Sequence, residues 1–157
     1  MKRFLILMLA LSILFVAAAC TDKNNNNVNV AVNDIAQKIL DELELDEHMM
    51  EMPDEMSLDA YPFDRDLVSE YVIYQAIFST SADEFAIFKV KNQSDIETIK
   101  DAIESRIDQV SKVWETYMPG QYEKVKNKLV ITNGNYVFVS VLEDQDKVED
   151  IFKSFME

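Results

Sequence analysis

Ile73-Tyr74-Gln75-Ala76-Ile77-Phe78-Ser79, Thr80-Ser81-Ala82-Asp83 and Glu84-Phe85-Ala86-Ile87-Phe88-Lys89-Val90-Lys91 form the stretch that decides the fold. The outer two runs are rich in β-branched and aromatic residues, which suit a pleated, half-buried surface. The polar run between them has the length of a hairpin loop, so the three together predict two antiparallel strands. Successive side chains of a strand point to opposite faces. Phe85, Ile87 and Lys89 therefore share one face of the second strand, and Ala86, Phe88 and Val90 the other. Both faces are mostly apolar, which predicts a central strand.

Outward from this hairpin the periodicity changes. Ser94-Asp95-Ile96-Glu97 reads as a capping box, in which the serine oxygen accepts from an amide and the glutamate reaches back. Ile96, Ile99, Ile103, Ile107, Val110, Trp114 and Tyr117 then recur at helical spacing, and Met118-Pro119-Gly120 ends the run. A further helical turn is expected at Gln121 to Asn127. Leu129 to Thr132, Asn133-Gly134 and Asn135 to Leu142 predict a second hairpin with a type I′ turn. Asp144 or Asp146 caps a last helix carrying Val148, Ile151, Phe152 and Phe155. On the N-terminal side, Ile35, Ala36, Ile39, Leu40 and Leu43 predict an amphipathic helix over Asp34 to Leu45, with Asn33 as its cap. Residues 41–66 hold eleven acidic residues and Pro53 and Pro62, and read as an irregular strap. A short helix over Arg65 to Tyr71 follows it. The order is α-β-β-α-β-β-α, an α+β domain whose antiparallel sheet of two hairpins carries helices on one face.

The 157 residues include 15 basic and 29 acidic ones, a formal charge of −14. A chain without cationic surplus does not bind nucleic acid through counterion release. Lys2 and Arg3 precede an apolar run from Phe4 to Val16, which has the length of a secretory signal core and is short of a bilayer span. Ala17-Ala18-Ala19 supplies the small residues a signal peptidase requires. Cys20, the only cysteine, follows at once, as in a bacterial lipobox with Ala17 at the usual leucine position. Cleavage before Cys20 and acylation of its thiol would moor the protein, because two fatty chains of the palmitate class hold stably where one binds reversibly. Without Lys2 and Arg3, 13 basic residues face 29 acidic ones and the charge becomes −16, which stands a domain off an anionic membrane. The division is a lipoprotein signal peptide at 1–19, a flexible Asn-rich tether at 20–33 and a single acidic domain at 34–157. Val28, Val30 and Val32 could add an edge strand.

Several of these segments together resemble a known family. Ala82-Asp83-Glu84-Phe85-Ala86-Ile87-Phe88-Lys89-Val90, Arg106, Tyr117-Met118-Pro119, Asn127-Lys128-Leu129-Val130 and Gly134-Asn135-Tyr136-Val137 are similar to the motifs of domain-of-unknown-function family 4358, lipoproteins of clostridia-type Gram-positive bacteria. The similarity spans residues 34–155. It implies an extracytoplasmic, lipid-anchored location and carries no established activity.

Four clusters could bear chemistry. His48, Met49, Met50 and Met52 offer the imidazole and thioethers that Cu(I) favours, although Met is also an adaptable core filler. The acidic strap has the oxygens Ca²⁺ takes but no EF-hand loop. Glu84 and Arg106 read as an ion pair between strand and helix, or as a fork for a ligand carboxylate. Tyr61, Trp114, Tyr117 and Tyr122 could line an aromatic cleft. No G-x-S-x-G, P-loop, G-x-G-x-x-G or H-E-x-x-H occurs, and a single His stands alone as any general base. The expectation is a non-catalytic binding or accessory module of the cell envelope, without a cofactor. Its partners would be the membrane, through the anchor, and an envelope protein or small ligand. A carboxylate-pair hydrolase of wall glycans and a metal-handling lipoprotein are the alternatives.

Overall fold

A computed structural model describes residues 28–157. The elements in chain order are α1 (Val32–Glu42), β1 (Met49–Glu51), α2 (Asp54–Ala60), β2 (Val68–Ala76), β3 (Glu84–Val90), α3 (Ile96–Tyr117), α4 (Pro119–Lys126), β4 (Leu129–Asn133), β5 (Tyr136–Ser140) and α5 (Gln145–Ser154). The five strands form one antiparallel sheet in the order β1-β2-β3-β5-β4. β3 is central, as its two apolar faces predict. The α+β class stands and both hairpins form, but the first strand of the first hairpin runs over Val68–Ala76 rather than Ile73 to Ser79, so its loop spans 77–83 and leaves Ile77 and Phe78 exposed outside the sheet.

The helices, however, cover both faces of the sheet rather than one. Ile73, Ala86, Phe88, Val90, Val137 and Val139 pack beneath α3 together with Tyr61 and Phe63. Val72, Phe85, Ile87, Tyr136 and Phe138 pack against α1 and α5. The cause is the doubly apolar character of β3 and β5: a strand buried on each side needs a helical layer on each side. Phe138 shows the packing, its ring stacked on Phe152 of α5 at 5.0 Å between centroids. Burial of one such ring stabilises the fold by about 1.5–3 kcal/mol.

The strap is more regular than its composition predicts. It contributes β1, which pairs Met49 with Ala76 and so becomes an edge of the sheet. It also contributes α2, which follows Pro53. Helix Arg65 to Tyr71 is replaced by a 3-10 turn at Arg65–Leu67, because Val68 onward pairs with β3 as strand. The Ser94 capping box does not form. Gln93–Asp95 make a second 3-10 turn, and the Ser94 hydroxyl meets the Asp95 side chain instead. Asn33 is not a cap either, since α1 begins one residue earlier. The Val32 amide is met by the Glu70 carboxylate of β2 at 3.1 Å, an anion well placed at a helix N-terminus. The second hairpin turns on Gly134-Asn135, with Asn133 paired to Tyr136. Positive φ occurs at Gly134 and not at Asn135, which is the pattern of a type II′ rather than a type I′ turn. Asp144 does cap α5, accepting from the Lys147 amide at 3.1 Å.

Residues 28–33, the last part of the expected tether, are fastened to the domain. The Lys89 ammonium donates to Asn29 Oδ1 at 2.8 Å and to the Val30 carbonyl at 3.2 Å. The Tyr136 hydroxyl donates to the Val30 carbonyl at 2.7 Å and accepts from the Val30 amide at 2.9 Å. Val28 and Val30 form no strand and pack against the α1/α5 face. The expected signal peptide, Cys20 and the rest of the expected tether lie outside the described residues. Among the described residues no helix is long and apolar enough to cross a membrane.

Candidate functional site

Three elements bring their side chains together at one end of the sheet. Glu84 is the first residue of β3. Arg106 lies on α3 one turn from Ile103 and beside Ile107, at the border of that helix's buried face. Tyr61 closes α2: its amide bonds back to the Ser57 carbonyl at 2.8 Å, and Pro62 prevents any continuation of the helix. The arrest turns the Tyr61 side chain into the core, where it is 1 % exposed.

The Arg106 guanidinium grips Glu84 with two bonds, Nε to Oε1 at 2.9 Å and Nη2 to Oε2 at 2.5 Å. The Tyr61 hydroxyl donates to Oε1 at 2.6 Å. The guanidinium also lies 5.9 Å from the centre of the Tyr61 ring, within cation–π range. Burial pushes the Tyr61 hydroxyl well above its ordinary range, and the Glu84 charge adds to the effect, so it stays a donor. For Arg106, burial opposes the charge, but the hydrogen bonds and charge of Glu84 outweigh it and raise its pKa. The guanidinium holds both carboxylate oxygens of Glu84 in a fixed fork.

Arg106 separates two hollows. The first, about 210 Å³, lies between the β2–β3 loop and α3 and has Phe78, Val110 and Trp114 as apolar walls. Ser81, Asp83, Glu84 and Arg106 supply its polar side. The second, about 240 Å³, is lined by Met52, Met56, Asp59, Gln75 and Gln109 beside the same Arg106. The β2–β3 loop is braced from α4: Lys124 donates to Asp83 at 2.7 Å, and Gln121 Oε1 accepts from the Ala82 amide at 2.8 Å. Burial works against the Lys124 charge, and bonding to Asp83 more than restores it. Glu84 occupies Nε and Nη2 of Arg106, and Nη1 has no acceptor among the described residues. That edge can donate to a carbonyl or carboxylate of a ligand while an apolar portion lies against Phe78 and Trp114.

The other expected site residues divide. Glu84, Arg106 and Trp114 line one hollow. Tyr61 lines neither hollow and meets this site from beneath, through its bond to Glu84 and its ring under Arg106. Tyr117 is 65 % exposed and leans on Trp114, 6.1 Å between ring centres, outside the hollow. Tyr122 is half-buried on α4 and carries Lys126 over its ring. The methionines do not converge: Met49 is buried on the α1/α5 face, Met52 on the α3 face, and Met50 is exposed. Strand alternation in and after β1 sends them apart. His48 lies near Phe78, with 6.3 Å between ring centres. Among the described residues no three His, Cys, Asp or Glu side chains are grouped to hold a metal. Sequence reasoning missed Phe78, Gln75 and the Asp83–Lys124 brace. The available signal was an Ile77-Phe78 pair running into a Ser/Thr loop, where apolar residues have no core of their own to fill.

The family model described as "Domain of unknown function (DUF4358)" matches residues 41–142, a span that includes Tyr61, Glu84, Arg106 and Trp114. No curated protein and no solved structure matches the chain.

Proposed function

The chain belongs to the DUF4358 family, and from that premise we propose that it is a non-catalytic binding module, lipid-anchored through Cys20 on the outer face of the cell membrane. The observation that carries the reading is the N-terminal series of Lys2-Arg3, the apolar run Phe4 to Val16, three alanines and the sole cysteine. Each part does something different: the charged start orients the leader, the signal core is too short to span, the small residues admit cleavage and the thiol accepts acylation. The hollow at Arg106 supports the binding role. It combines a guanidinium fixed by Glu84 with the aromatic walls Phe78 and Trp114.

Expression of wild-type and Cys20→Ala chains in a Gram-positive host tests the anchor. The wild type is expected in the membrane fraction, beginning at an acylated Cys20 by mass spectrometry. Cys20→Ala is expected in the medium or as the uncleaved precursor. A Cys20→Ala chain retained on the membrane at mature mass refutes the reading.

A further inference from the structure

The two ends of the sheet differ in what they carry. β3 runs from Glu84 at the Arg106 hollow to Lys89 at the point where residues 28–30 are fastened. Those five steps cover about 17 Å at the rise of an extended strand. The neighbouring strands agree in direction. β2 starts beside Glu70 and ends at Gln75-Ala76 in the hollow, and β5 starts at Tyr136 and leads to Val141 in the hollow. The chain from Cys20 therefore joins the domain at the end of the sheet opposite the hollow.

We infer that the anchored domain stands with its Arg106 hollow away from the bilayer, so that the hollow meets water-soluble or wall-borne ligands and not lipids of its own membrane. This rests on the lipid-anchor reading. Two observations carry it further. The first is reach: residues 20–27 cover at most about 28 Å even when fully extended. Turning the hollow to the bilayer makes that segment run back about 17 Å along the strands, inside its span, so the chain-entropy cost is small and the attachment point biases the orientation without fixing it. The second is charge. The α1–β1 loop lies at the hollow end, because Met49 pairs with Ala76. Glu42, Glu44, Asp46, Glu47, Glu143 and Asp144 are exposed there. Lys147 is the exposed cation among them. At the attachment end Lys89 is paired with Glu70 at 2.9 Å, Asn92 and the Asn133-Gly134-Asn135 turn are uncharged, and exposed Asp64, Asp66 and Glu97 are offset in part by Lys91 and Lys100. An anionic membrane surface repels the first end more strongly than the second, over a distance of about 8–10 Å at physiological salt.

The test uses the full acylated protein in phosphatidylcholine/phosphatidylglycerol vesicles. Trp114 is the only tryptophan and lines the hollow, so it is an intrinsic probe. Its emission is expected to be the same in vesicles with and without brominated lipid. With Cys20 acylated, a cysteine placed at exposed Ser79 or exposed Asn92 is the only free thiol for a donor dye. Energy transfer to a headgroup acceptor is expected to be stronger from Asn92→Cys than from Ser79→Cys. Quenching of Trp114 by brominated lipid, or transfer from Ser79→Cys equal to or above that from Asn92→Cys, overturns the orientation. Failure of the protein to float with the vesicles overturns the anchor reading instead, so the two failures are distinct.

Discussion

Replacing Arg106 with methionine keeps most of the aliphatic stem and removes both bonds to Glu84. The side chains of the pair are only 18 % and 10 % exposed, so the carboxylate left behind has little access to water. Only the Tyr61 hydroxyl still donates to it. Removing one member of a buried pair costs about 3–5 kcal/mol, mostly through the uncompensated charge. The lower part of that range applies here, because Tyr61 remains and the hollow admits some water. A loss of about 3 kcal/mol lowers Tm by roughly 12 °C for a domain of this size. Glu84→Gln alone strands the guanidinium in the same way. In the double variant Glu84→Gln, Arg106→Met no charge is stranded, so its loss is expected to fall short of the sum of the singles by about 2 kcal/mol. Urea unfolding of wild type, both singles and the double, followed by far-UV circular dichroism, measures all four corners of the cycle. If Arg106→Met costs under about 1 kcal/mol and the cycle is additive, the pair behaves as a solvated surface bridge and the reasoning is refuted.

Two further outcomes follow from the same structure. Tyr61 is held neutral with its pKa raised in the folded state, so its contribution is complete below the ordinary tyrosine value of 10.0 and is lost as pH rises, because the unfolded chain releases that proton first. Alkaline unfolding is therefore expected to be steeper in the wild type than in Tyr61→Phe, which costs about 1.5 kcal/mol at neutral pH for its lost bond to a carboxylate; equal alkaline slopes in a pH series of urea melts count against it. Gly134→Ala puts a side chain at φ +55 with no atom within 4 Å of the new Cβ, so the penalty is backbone strain alone, about 1 kcal/mol; a Tm at or above wild type contradicts that conformation.

Long, strongly periodic segments were legible because their pattern is their packing. The isoleucines of α3 and the doubly apolar β3 each specify a buried face within the segment itself. β1 and α2 were not legible, and for a shared reason. Met49–Glu51 is too short for an alternation to register, and it becomes a strand only because β2 offers its edge. Asp54–Ala60 buries only Ser57 and Ala60, so it has no apolar stripe to detect. The capping box failed at Ser94 for the converse reason. A local motif of four residues was overridden when the chain entering from β3 took a 3-10 turn first. At the N-terminus of α1 the competing cap, Glu70, lies 38 residues away in sequence, where no local pattern can report it.

The same contrast between local and distant information governs the site. Glu84 and Arg106 could be paired in advance because arginine occurs at only three positions, 3, 65 and 106, and one of them borders the seam of a helix that must cross the hairpin. Tyr61 could not be added, since aromatic residues in a strap read equally well as cleft or core. What decides it is Pro62, which stops α2 and directs the ring inward beneath Glu84. Once there, Tyr61 satisfies the Oε1 lone pair that Arg106 leaves open, and Arg106 keeps one edge unpaired at the hollow. A purely structural role would be met as well by two apolar residues of similar volume, because buried ion pairs give little net stability over such replacements. The ion pair leaves a guanidinium fixed at an opening with aromatic walls, which is the feature the binding role proposed above would use.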